Sequence, residues 1–67
     1  MISLTVNGRN LQFDEELSGS QLLEKLDRNA KTLVIEHNGK IIPVAEFLES
    51  MVRDGDELEL VTLVGGG

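Results

Sequence analysis

A chain of 67 residues with 12 acidic side chains, 6 basic ones and a formal net charge of -6 has room for one small domain. With no Cys and a single His it has no disulfide staple, no thiolate metal site and no cysteine nucleophile, and few parts for histidine-based zinc or Ser-His chemistry. Its acidity opposes contact with nucleic-acid phosphates and favours a basic protein surface, so any chemistry is expected to come from a protein partner.

Ile2, Leu4 and Val6 alternate with Ser3 and Thr5, which predicts a strand, and Asn7-Gly8 supplies the residues that tolerate positive φ in a tight hairpin turn. Leu11 and Phe13 continue the alternation in a second strand that stops at the solvated acids Asp14-Glu15-Glu16. Ser18 with Gln21 three residues on forms a capping box, and Leu17 and Leu22 stand at the positions of a hydrophobic staple, so a helix is expected from there. Leu22, Leu23 and Leu26 give it one apolar face, and it should fade near Asn29.

Leu33-Val34-Ile35-Glu36 predicts a third strand, Asn38-Gly39 a second hairpin turn, and Ile41-Ile42 a short return strand stopped by Pro43. Val44, Phe47, Leu48 and Met51 recur at helical spacing, with Phe47 and Met51 read as core. Asp54-Gly55-Asp56 is far shorter than a calcium loop and reads as a turn; no metal is assigned. His37 shares the parity of Leu33 and Ile35 and reads as an ordinary strand-end histidine.

The last strand begins at Glu57. Leu58, Leu60, Thr62 and Val64 share one face, while Glu57, Glu59, Val61 and Leu63 share the other, which changes from acid to hydrocarbon along the strand. Gly65, Gly66 and Gly67 follow directly. A glycine run buries nothing and costs entropy to order, so it is most useful where a backbone carboxylate must pass through a narrow partner site. The opening Met1-Ile2-Ser3-Leu4-Thr5-Val6 carries no positive leader region, and no segment approaches the ~20 apolar residues of a membrane span. The expectation is a soluble, cytoplasmic chain without nucleic-acid or membrane partners, and size and charge suggest a monomer when free.

The order strand, strand, helix, strand, strand, short helix, strand, running into terminal glycines, resembles the β-grasp fold of ubiquitin-like proteins over the whole chain. This is an α+β fold: a mixed sheet of four to five strands with one main helix across one face and a short second helix. It implies a domain over residues 1–64 and a flexible glycine tail over 65–67. More narrowly, Asn7-Gly8, the segment from Val52 through Val61 and the ending Val64-Gly65-Gly66-Gly67 are similar to the small bacterial sulfur carriers of thiamine biosynthesis, the ThiS family.

The resemblance implies that Gly67 is adenylated by an ATP-dependent ThiF-like enzyme and converted to a thiocarboxylate with sulfur from a donor such as a cysteine desulfurase. A ThiG-like thiazole synthase then takes the sulfur. The chain would be a substrate of these enzymes, with no catalytic residue and no bound cofactor of its own. The tail Gly65, Gly66 and Gly67 would enter the partner site, and Val61, Leu63, Glu57 and Glu59 are the candidates for docking the folded body. Many relatives end in two glycines, so the third leaves open which upstream residue stands at the entrance.

Other readings stay open at the level of residues. Val61 and Leu63 are equally consistent with a face covered by the chain's own elements. The same carboxylate chemistry serves molybdopterin or cysteine synthesis, or a ubiquitin-like modifier conjugated through Gly67. A non-covalent binding module with a dispensable tail belongs to a third class.

Overall fold

The computed structural model describes residues 1–63; the expected tail, Gly65 to Gly67, and Val64 before it lie outside the described residues. The chain begins with β1 (Ile2–Val6) and β2 (Arg9–Phe13), an antiparallel hairpin in which Leu4 faces Leu11 and Val6 faces Arg9. Asn7 and Gly8 between them have φ of 51° and 81°, the double left-handed geometry for which Asn-Gly is suited. A two-residue strand β3 (Leu17–Ser18) leads into helix α1 (Gly19–Lys25).

The capping box forms as the sequence predicts. Ser18 Oγ accepts from the Gln21 amide at 3.1 Å, and Gln21 Oε1 accepts from the Ser18 amide at 2.9 Å. The helix ends earlier than the expected Asn29. Asp27 takes a φ of 54°, so the Arg28 amide donates to the Leu23 carbonyl and the Asp27 amide to the Glu24 carbonyl, a Schellman stop built on a non-glycine residue.

A 3₁₀ turn (Ala30–Thr32) connects to β4 (Leu33–His37), which pairs antiparallel with β5 (Lys40–Ile42) through the turn at Asn38-Gly39. Helix α2 (Val44–Glu49) and a two-residue strand β6 (Met51–Val52) precede β7 (Glu57–Thr62). Met51 corrects the sequence reading. It lies past the end of α2, in β6, pairs with Ser18 of β3 and is 44% exposed, whereas Val52 beside it is fully buried. One residue beyond the helix the period changes from 3.6 to 2, and the apolar residue at helical spacing turns outward.

The main sheet has the order β2-β1-β7-β4-β5, with β7 parallel to β1 and antiparallel to β4. Strand β7 is therefore its centre. Helices α1 and α2 close one face over a wholly apolar core that includes Leu4, Leu22, Ile35, Phe47, Val52 and Leu58. Gly19 opens α1 against α2, where a Cβ would overlap the Phe47 carbonyl oxygen and lie 2.8 Å from Phe47 Cδ2. Only glycine allows the two helices to meet this closely.

Candidate functional site on the closing strand

Strand β7 carries Glu57, Glu59 and Val61 of the docking residues expected from the sequence, and Leu63 follows it directly. The strand alternates as far as Val61, with Leu58 and Leu60 buried and Glu57, Glu59 and Val61 facing solvent, while Thr62, expected on the buried face, is exposed at its end. Val61 is 53% exposed and Leu63, just past the strand, 58%. Among the described residues neither is covered by the chain's own helices, which lie on the opposite face. Gly65, Gly66 and Gly67 are outside the described residues.

The register brings further residues to the same open face. Val34 stands directly opposite Val61, and Glu36 directly opposite Glu59, while Thr5 on the other side is opposite Glu57. Ile41 of the edge strand, opposite Glu36, is 73% exposed. A surface hollow between the two Asn-Gly turns is ringed by Glu36, Glu57 and Glu59 with Thr5, Gly8 and Gly39. Like charges facing each other across a strand pair are unfavourable, so Glu36 and Glu59 add a repulsion that a basic partner would relieve. Sequence reasoning had no means to add Val34, Glu36 and Ile41, because partners across the sheet are chosen by register and not by local pattern.

Both hairpin asparagines also hold β7. Asn7 Oδ1 accepts from the Leu60 amide at 2.7 Å, and its Nδ2 donates to the Leu60 carbonyl at 3.1 Å, so the side chain replaces a strand residue where β1 has ended. Asn38 Oδ1 accepts from the Glu57 amide at 2.8 Å, and its Nδ2 donates to Asp56 Oδ1 at 3.1 Å. At the far end Arg28 Nη1 donates to Thr62 Oγ1 at 3.0 Å, and the Leu63 amide donates to the Thr32 carbonyl at 2.7 Å. The end of β7 is thus held by Arg28 and Thr32.

The Asp54-Gly55-Asp56 segment is a turn, as expected. The Asp56 amide donates to the Arg53 carbonyl, Gly55 has a φ of 87°, and Asp54 Oδ1 accepts from the Ser3 amide at 2.7 Å. Partial burial pushes the Asp56 pKa upward. Hydrogen bonds from the Arg53 amide, His37 and Asn38, together with attraction to His37, outweigh that and hold it below the ordinary value. Among the described residues there is no group of three or more His, Asp or Glu placed to hold a metal ion, no polar side chain is buried, and no helix is long and apolar enough to cross a membrane.

Comparison with known proteins gives this face a context. Residues 2–67 match the model of the ThiS family. The uncharacterised protein ycf40 of Porphyra purpurea is 38% identical over 66 residues, covering 98% of this chain and 93% of that protein. A thiazole synthase of Paramagnetospirillum magneticum is 32% identical over 66 residues, 98% of this chain but 20% of that longer protein. The crystal structure of the thiamine biosynthesis protein ThiS from Geobacter metallireducens superposes with a TM-score of 0.83 at 35% identity, covering 98% of this chain and 100% of that one. The β-grasp order, the matched length and this structural likeness lead to one assignment: the chain belongs to the ThiS family of ubiquitin-like sulfur carriers of thiamine biosynthesis.

Proposed function

We propose that this protein carries sulfur for thiazole formation as a thiocarboxylate at Gly67, and that β7 presents it to the enzymes that load and unload it. The observation that supports this most directly is the exposed pair Val61 and Leu63, at the end of the strand that precedes Val64-Gly65-Gly66-Gly67 in the sequence of a ThiS-family chain.

The chemistry follows from the carboxylate. With a reference pKa of roughly 3.5 it is ionised at neutral pH and is a poor electrophile. Attack of a carboxylate oxygen on the α-phosphorus of ATP, with loss of pyrophosphate, makes an acyl adenylate. A sulfide nucleophile then attacks the acyl carbon and AMP leaves. Sulfur now sits on a protein, so recognition of the folded body decides where it is delivered.

Glycine serves each step because the partner sites must close around the backbone. Three extended residues reach about 10 Å, enough to carry Gly67 from the strand end into a pocket. Ordering them costs ~1–2 kcal/mol per residue, which contacts at Val61, Leu63, Glu57 and Glu59 would offset. A ThiF-like adenylating enzyme, a cysteine desulfurase and a ThiG-like thiazole synthase are the partners of a monomeric, cytoplasmic carrier in this reading. The relative in which a domain like this one occupies a fifth of a thiazole synthase supports the last of them.

The test is intact-mass analysis after incubation with ATP, a sulfur source and the adenylating enzyme. Exchange of one oxygen for one sulfur should map to the C-terminal peptide, and Gly67→Ala should reduce it sharply without changing the unfolding midpoint. An unimpaired Gly67→Ala chain would contradict the steric argument. Ladders of lysine conjugates in cell extracts would point instead to a protein modifier.

A further inference from the structure

Strand β7 outruns β1. Pairing with β1 reaches Val6 opposite Leu58, while pairing with β4 continues to Leu33 opposite Thr62. The backbone bonds of Asn38 with Glu57 and of Leu63 with Thr32 show that the odd-numbered residues turn their amides and carbonyls to β4. By the alternation of an antiparallel ladder, Leu58, Leu60 and Thr62 turn theirs to the β1 side. There the Leu58 carbonyl accepts from the Asn7 amide, and the Leu60 pair is taken by the Asn7 side chain. Thr62 comes next, and among the described residues nothing bonds to its amide or carbonyl on that side.

We propose that this open stretch of β7 at Thr62 is a strand-addition site, taken by an extended segment of the enzyme that receives the tail. Three observations specify the occupant. Thr62 stands three residues before Gly65 in the sequence, so an enzyme that encloses the tail comes within reach of it. Val61 and Leu63 on either side are exposed hydrocarbons, without the lysine, proline or bulge by which proteins protect an unpaired edge. Beside it Asn7 and Arg28, which bond to Leu60 and Thr62, line a hollow with an apolar floor of Val6, Leu11 and Leu26 and a second arginine, Arg9, at its rim. An enzyme segment with an apolar side chain for the floor and an acidic neighbour for the arginines fits both features. A second copy of this chain fits less well, since each carries a net charge of -6.

The inference rests on the carrier reading, and one set of measurements separates the two. The full chain is made by total synthesis with an ester in place of the Thr62 amide, which removes that N–H and weakens the Val61 carbonyl as an acceptor toward β4. Its affinity for the purified adenylating enzyme is read by calorimetry beside that of the all-amide chain. The Thr62 ester should bind roughly three- to tenfold more weakly, the range of one hydrogen bond, with an unfolding midpoint lowered only by the weaker bond of the Val61 carbonyl to β4. An ester at Leu63, whose amide is already used by Thr32, should lower that midpoint, and Arg9→Glu should weaken binding without unfolding.

Equal affinity of the Thr62 ester and the all-amide chain overturns the strand-addition site while the carrier reading stands. Binding that is sensitive to the ester, with no oxygen-for-sulfur exchange on the all-amide chain, upholds the site and removes the carrier reading. Absence of any binding by the all-amide chain overturns both. An ester that instead abolishes a concentration-dependent dimer assigns the edge to a second copy and overturns the proposed occupant.

Discussion

His37 Nε2 and Asp56 Oδ2 stand 2.8 Å apart, joining the end of β4 to the turn that launches β7. Asp56 Oδ2 also accepts from the Arg53 amide at 2.9 Å, and the His37 ring meets Phe47 edge-on at a centroid distance of 6.0 Å. The lowered pKa of Asp56 makes this junction sensitive to acid. A carboxylate whose folded value lies below its unfolded 3.8 contributes stability that is complete above 3.8 and is lost as pH falls through the folded value. Asp56→Asn should therefore be less stable than the parent at neutral pH and lose less on acidification, as checked by urea unfolding at about pH 7 and about pH 3. A parallel acid loss in both chains would contradict the assignment.

Gly19→Ala sets two effects against each other. Helix propensity favours alanine by about 1 kcal/mol. The added Cβ would overlap the Phe47 carbonyl, which cannot yield unless α2 shifts, and overpacking of that kind costs about 1–3 kcal/mol. The clash should prevail, and a lowered urea midpoint is the expected outcome.

Asn7 performs two tasks that substitution can separate. Asn7→Gly keeps the φ of 51° free of strain and removes only the two bonds to Leu60, a loss of about 1–3 kcal/mol. Asn7→Ala should cost about 1 kcal/mol more, because alanine disfavours the left-handed region. Amide exchange at Leu60 should accelerate in both variants. An unchanged Leu60 amide would mean that the side chain is not its partner.

These cases also mark what the sequence could disclose. The Asn-Gly turns, the capping box at Ser18 and Gln21, and the alternation of β7 were legible because each is decided by residues within a few positions of one another. The pairing of Leu17–Ser18 with Met51–Val52 was not, since two residues carry no period, and Met51 was drawn into the preceding helix for that reason. The early stop of α1 rests on Asp27 in a conformation where glycine is usual. For the site, the outward set Glu57, Glu59, Val61 and Leu63 was readable from parity. The contribution of Glu36 and Val34, the lock by Asn7 and the link from Arg28 to Thr62 depend on contacts across the sheet and from helix to strand.

Val61→Ser and Leu63→Ser test the docking face apart from the fold. Both side chains are more than half exposed, so stability should change by no more than about 0.5 kcal/mol. In the adenylation assay the KM for the carrier should rise about tenfold or more, as for anchors at the centre of an interface, with kcat less affected. A KM equal to that of the parent would remove these two residues from the docking face.

Among the described residues the central strand of the sheet is also the last in chain order. While the polypeptide is being synthesised, the two earlier hairpins have no neighbour in common, and the apolar surface that β7 covers stays wet. The fold therefore closes only once the ribosome has released β7, when contacts distant in sequence can form together. A product cut short within that strand would leave Leu4 and Ile35 without the neighbour that covers them and would be an open chain for proteases.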